Sequence, residues 1–203
     1  MKQKIGIMGG TFDPIHNGHL IIAQSAADEF DLDQVLFIPT GRSPHKDADE
    51  VTDGEKRCVM VQKAISENKK FQLSKIELKN TGTSYTFETL EKLSMKFRDA
   101  TLYFIMGGDS LKDFEYWREP EQICRFATIL AAVRDEIDGP DMDRYISHIK
   151  RKYHAKIYKL HSPNYSISSK EIRKRVHDGK SIRYMVPKQV EGFINRENLY
   201  LDI

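Results

Sequence analysis

Apolar residues along this chain fall into short uninterrupted runs, separated by longer stretches where they recur every three or four positions. The short runs are Ile5–Met8, Val35–Ile38, Thr101–Met106, Thr128–Val133 and Ala155–Leu160. A further one lies within Phe71–Leu78, where Ile76 and Leu78 alternate with charged residues. Runs of this length predict strands. Between them Leu20–Phe30, Glu55–Asn68, Tyr85–Phe97, Pro120–Phe126 and Met142–Tyr153 read as helices, the first with Leu20, Ala23, Ala27 and Phe30 along one face. Ile137–Asp141, with Gly139-Pro140, reads as a loop, and Ser168–His177 and Pro187–Asn195 read as two closing helices. Alternating strands and helices, with strands apolar on both faces, predict an α/β fold whose doubly wound parallel sheet is covered on both sides.

Sheets of this kind bind ligands at the carboxyl ends of their strands, near the point where strand order reverses. The polar residues of interest here do follow strands. After the first comes Gly9-Gly10-Thr11-Phe12-Asp13-Pro14-Ile15-His16-Asn17-Gly18-His19, leading into the first helix. A glycine pair lets backbone approach a ligand closely, and a helix start offers unpaired N–H groups and partial positive charge to an anion. His16 and His19 fall one helical turn apart and face one site. Taken singly, these elements are ordinary: a tight turn, a surface histidine pair, an Asp-Pro turn. Their order points to phosphate binding.

A second constellation is Ser166-Ile167-Ser168-Ser169-Lys170-Glu171-Ile172-Arg173. Ser168 and Glu171 have capping-box spacing, and Arg173 follows Ser169 by one turn. Capping and phosphate recognition by hydroxyls, N–H groups and a guanidinium fork are compatible.

The amino-terminal motif resembles the nucleotidyltransferase superfamily of the His-x-Gly-His type, and Ile167-Ser168-Ser169 with Ile172-Arg173 resembles the carboxy-terminal signature of its adenylyltransferases. The resemblance implies a Rossmann-like fold and transfer of a nucleotidyl group to a phosphate-bearing acceptor with release of pyrophosphate. It implies that Gly9, Gly10, Thr11, Phe12, His16, Gly18 and His19 hold ATP together with Gly107, Asp109, Ile167, Ser168, Ser169 and Arg173. Lys46, in Pro44-His45-Lys46, would lie near the reacting phosphates, and the catalytic set would be His16, His19, Lys46 and Arg173.

Three middle features narrow the acceptor. Gly82-Thr83-Ser84-Tyr85-Thr86-Phe87-Glu88-Thr89, Gly107-Gly108-Asp109-Ser110 and the sole tryptophan, Trp117, resemble segments of bacterial nicotinate-mononucleotide adenylyltransferases. That family implies nicotinate mononucleotide held by Thr11, Lys46, Thr83, Tyr85, Thr86, Asp109, Trp117 and Arg134. Trp117 would face the pyridinium ring, a cation–π contact worth ~0.5–2 kcal/mol. Relatives acting on nicotinamide mononucleotide or phosphopantetheine are the alternative, and a nucleotide sensor without turnover is a third reading. Magnesium would travel with ATP, since phosphate oxygens and water are its preferred ligands, and no carboxylate cluster suggests a protein metal site.

Composition adds limits. With 203 residues, 39% apolar and 31% charged, the chain is expected to form a single domain over 1–203. A net charge of +2 gives no global field for nucleic acid. Cys58 and Cys124 show no disulfide or metal spacing and suit buried thiols in a reducing cytoplasm. No basic-plus-apolar leader opens the sequence, and no apolar run approaches the ~18 residues of a membrane span. The expected partners are therefore small molecules, and a homo-oligomer is compatible with all of this.

Overall fold

Among the described residues, six strands form one sheet: β1 (Gln3–Gly10), β2 (Gln34–Pro39), β3 (Phe71–Leu73), β4 (Ala100–Gly107), β5 (Thr128–Ala132) and β6 (Ile157–Leu160). The computed structural model describes residues 2–42, 51–80, 82–132, 135–163 and 166–202, with backbone alone for 135–140. Strand order is β3-β2-β1-β4-β5-β6, and every neighbouring pair is parallel. The chain winds outward from β1 to β3, crosses to β4 and winds outward again. Strand order therefore reverses between β1 and β4, where a Rossmann-like sheet opens its ligand crevice.

Side-chain alternation splits the strands between two cores. Val35 and Phe37 join one with residues of α1 (Asn17–Glu29), α2 (Gly54–Ile65), α7 (Ser169–His177) and α8 (Lys188–Arg196). Leu36 and Ile38 join the other with residues of α3 (Thr86–Lys96), α4 (Gly108–Lys112), α5 (Pro120–Phe126) and α6 (Asp135–Tyr153). The predicted α/β architecture stands.

Element ends differ from expectation in instructive ways. The strand expected within Phe71–Leu78 stops at Leu73, and Ile76–Lys79 is a turn. There Glu77 points inward to accept from Thr89 Oγ1 at 2.9 Å, so the alternating pattern belongs to a buried polar contact. The loop expected at Ile137–Asp141 is helical, since α6 starts at Asp135. Beyond Pro140, buried Met142, Ile146 and Ile149 anchor the helix on the sheet. Two short elements had no sequence signal: α4 and a 3-10 turn at Phe114–Tyr116.

Both cysteines are free, Cys58 buried and Cys124 half-buried, and burial pushes the Cys124 thiol up to about 12. His148 pairs with Glu115 and His161 with Glu29 on the surface. Among the described residues no helix is long and apolar enough to cross a membrane.

Candidate active site

The turn that leaves β1 sets the geometry. Phe12 takes a left-handed φ of 51° with its ring buried, and the chain then enters α1 through His16 in extended conformation. The helix begins earlier than periodicity suggested, so His16 is its N-cap and His19 lies three residues inside. Asn17 fixes this start: its N–H donates to Met185 O at 2.9 Å and its side-chain amide to Tyr184 O at 2.7 Å. The two imidazoles stack with centroids 3.7 Å apart and planes 27° from parallel. The Phe12 ring meets His19 edge-on at 5.1 Å.

Backbone geometry assigns the His19 tautomer. The His16 N–H donates to His19 Nδ1 at 3.2 Å, which makes Nδ1 an acceptor and puts the neutral ring's proton on Nε2. Burial lowers the His16 pKa to about 4. Burial, and then the neighbouring His16, hold His19 well below the usual histidine range. At neutral pH both rings are uncharged, each with one N–H to donate. His16 Nδ1 is buried with no hydrogen-bond partner among the described residues. Gly18 makes room for this ring, because a Cβ there would stand 3.1 Å from His16 Nδ1 and 3.2 Å from Cε1.

The second sequence motif comes up against the first. Ser168 is the N-cap of α7 and accepts from the Glu171 N–H at 3.2 Å, as the capping spacing predicted. Ser169 Oγ donates to Pro14 O at 2.9 Å, and Arg173 Nη1 donates to Asp13 O at 2.7 Å. That bond uses one of the guanidinium's five N–H donors. Ile167 lies 3.9 Å from a Cβ built on Gly18.

Beside the turn opens a cavity of about 220 Å³, lined among others by Gly9, Gly10, Thr11, Glu77, Thr86, Ser110, Trp117 and Arg118. It lies at the ends of β1 and β4, at the point of strand-order reversal. Trp117 packs against Phe104 and Phe114 with centroids 6.1 and 6.0 Å away, leaving part of the indole to line the cavity. Tyr85 is the N-cap of α3 and Thr86 its first residue, so a helix start faces the cavity. The Arg118 guanidinium lies 4.6 Å from the Tyr85 ring centroid. Thr83 bridges to Arg42, bringing the chain leaving β2 against the segment that precedes α3. Gly41 sits in this join, where a Cβ would fall 2.6 Å from Glu77 O. Burial raises the Glu77 pKa against the hydrogen bonds that favour its carboxylate. Gly107 caps α4, and the exposed Asp109 carboxylate pairs with Lys112 at 3.7 Å.

Thus the structure gathers Gly9, Gly10, Thr11, Thr86 and Trp117 around one cavity, with His16, His19, Ser169 and Arg173 at the adjoining turn. Lys46 and Arg134 lie outside the described residues. The sequence reading missed Glu77, Ser110 and Arg118. Arg118 follows Trp117 directly, the one signal that pointed to it. Among the described residues no group of three or more His, Cys, Asp or Glu is placed to hold a metal ion.

Residues 7–175 match the cytidylyltransferase-like family. A protein of Lachnoclostridium phytofermentans named "probable nicotinate-nucleotide adenylyltransferase" is 42% identical over 98% of this chain and 100% of its own. One from Thermoanaerobacter with the same name is 38% identical over 98% of this chain and 95% of its own. Among solved structures, the Plasmodium falciparum nicotinic acid mononucleotide adenylyltransferase complexed with NaAD superposes with a TM-score of 0.81. It shares 22% identity across 98% of this chain and 97% of its own, a likeness of fold. With a start of α1 built on two stacked histidines and full-length relatives of this identity, the chain belongs to the nicotinate-nucleotide adenylyltransferases of the cytidylyltransferase-like family.

Proposed function

We propose that this chain transfers the adenylyl group of ATP to nicotinate mononucleotide, giving nicotinate adenine dinucleotide and pyrophosphate in NAD biosynthesis. An acceptor phosphate oxygen attacks the α-phosphorus in line. The bond from that phosphorus to the α/β bridging oxygen breaks, and pyrophosphate leaves with the electron pair. A phosphate monoester is already ionised at neutral pH, its second pKa being about 6, so the step needs no strong base and no enzyme nucleophile. Rate enhancement comes from positioning and from donors aimed at charge that builds on the transferring and leaving groups.

One observation carries the reading: two neutral, stacked imidazoles at a helix start, beside a cavity walled by Trp117 and Thr86. His16 and His19 donate to triphosphate oxygens, with His19 Nε2–H at the α/β bridge. Gly9, Gly10, Thr11 and Phe12 shape the nucleotide pocket with Gly18, Gly107, Asp109, Ile167 and Ser168. Ser169 and Arg173 back the phosphates. Trp117 faces the pyridine ring, with Thr83, Tyr85 and Thr86 around it. Lys46 at the reacting phosphates and Arg134 at the mononucleotide phosphate rest on sequence resemblance.

The donors at the turn are nitrogens, while magnesium prefers hard oxygens, so a magnesium ion would be held by the triphosphate's own oxygens, where it would supply charge compensation. The Arg118 cation and the start of α3 favour an acceptor with a carboxylate over one with an amide. The free thiols suit a reducing cytoplasm. The test is pyrophosphate release from magnesium-ATP with nicotinate mononucleotide, nicotinamide mononucleotide and phosphopantetheine side by side. A strong preference for the nicotinate form is expected. Preference for another acceptor would discard the Thr86/Trp117 pocket, and no release with any would discard adenylyl transfer.

A further inference from the structure

The acceptors of the phosphate turn are held from behind by donors far away in sequence. Arg57 Nη1 donates to Thr11 O at 2.8 Å, and Arg57 Nε to Thr52 O at 2.8 Å. Arg173 and Ser169 hold the carbonyls of Asp13 and Pro14. The Asp13 carboxylate is buried, 2% exposed, and accepts from the Thr52 N–H at 3.1 Å. Its other oxygen accepts from the Tyr200 hydroxyl at 2.6 Å, across 187 positions of sequence.

A turn that offers N–H groups to a triphosphate must point its carbonyls and its acid elsewhere. A carboxylate three residues before His16 is otherwise a like charge beside the ligand. Tyr200 is built to fix it. The residue follows α8, is 7% exposed, and holds a left-handed φ of 67°, which a bulky side chain keeps only when its surroundings over-determine it. Burial first, and then the Asp13 charge, push its phenol far above the usual range, so the hydroxyl remains a donor.

We propose that Tyr200 is a positioning residue: its hydroxyl holds the Asp13 carboxylate away from the ligand so that the turn presents its N–H groups and His16 to the triphosphate. The carboxy-terminal segment after α8 is on this account part of the phosphate site, although it touches no substrate. The inference rests on the adenylyl-transfer reading for its kinetic consequence, and on the geometry of the turn for its effect on ATP binding.

The test is Tyr200→Phe, which keeps the ring and removes one hydroxyl. By calorimetry the ATP dissociation constant should rise about tenfold, the scale of one charge-assisted hydrogen bond. The turnover number should fall alongside, with the acceptor's Michaelis constant unchanged. Val190→Ala, a buried substitution in α8 that removes no hydrogen-bonding group, serves as the stability control and should lower Tm while leaving ATP affinity intact. On an Asp13→Ala background, Tyr200→Phe should change ATP affinity less than twofold. ATP affinity retained in Tyr200→Phe, or an equal loss in Val190→Ala, would reduce Tyr200 to a packing residue. An undiminished effect in the Asp13→Ala background would overturn the route through Asp13. Wild-type enzyme that binds ATP without turnover would count against adenylyl transfer alone, since the affinity comparison still decides the role of Tyr200.

Discussion

His16 should make the folded protein sensitive to acid in a way that can be calculated. It is 6% exposed, and burial holds its imidazole at about 4 against an ordinary 6.5. Because the folded value is the lower one, the unfolded chain binds the proton first as pH falls. The neutral ring's stabilisation is therefore complete above the unfolded value, declines as the solution acidifies, and is lost once pH passes the folded value. Linkage gives a loss of about 0.8 kcal/mol at pH 6, about 2 kcal/mol at pH 5 and about 3.4 kcal/mol in the acid limit. The perturbation is His16→Asn, which cannot titrate and is still a good N-cap. Urea unfolding of both proteins at pH 7, 6 and 5 reads the His16 contribution together with its coupling to His19, because His16 also lowers the neighbouring ring's affinity for a proton. The wild-type stability, measured relative to the variant, should drop by about 2 kcal/mol between pH 7 and pH 5. Saturating ATP should flatten the curve, since bound phosphate favours the protonated ring. Parallel pH curves for the two proteins would refute the reasoning and mean that His16 takes up a proton as readily folded as unfolded.

Three further outcomes follow from the site. His19→Ala should cut turnover at least ~100-fold without loss of folding, as expected for one donor aimed at the transition state, and near-normal turnover would remove His19 from the chemistry. Trp117→Ala should raise the acceptor's Michaelis constant by about 2- to 30-fold through lost ring contact, with the ATP constant unchanged in the same steady-state assay. Gly18→Ala should separate stability from activity. Alanine gains up to about 1 kcal/mol of helix propensity over glycine, but its Cβ, 3.1 Å from His16 Nδ1, displaces the stacked ring, so thermal unfolding should change little while turnover falls.

Much of this fold was legible because local pattern and tertiary packing agree. Unbroken apolar strands such as Val35–Ile38 occur where both sheet faces are covered, and the polar residues after them had to lie at the strand ends. The histidine turn was legible for the same reason, with its chemistry contiguous in sequence. The misses have physical causes. Gly139-Pro140 reads as a break until the sheet supplies a partner for Met142, Ile146 and Ile149. Glu77 sits in an alternating segment whose inward side chain meets Thr89 instead of a strand neighbour. Tyr200 carries no local signal whatever, since its partner Asp13 lies at the other end of the chain.

The donor bond from the His16 amide to His19 Nδ1 has a wider meaning for charge near the nucleotide. Many enzymes orient a working imidazole with a carboxylate, which brings a full negative charge to within two bonds of the reacting centre. Here an uncharged peptide group does the orienting, and among the described residues no carboxylate is hydrogen-bonded to that ring. The proton's address on the imidazole is consequently written by main-chain conformation, which exchange of a neighbouring side chain cannot rewrite while the first turn of α1 holds.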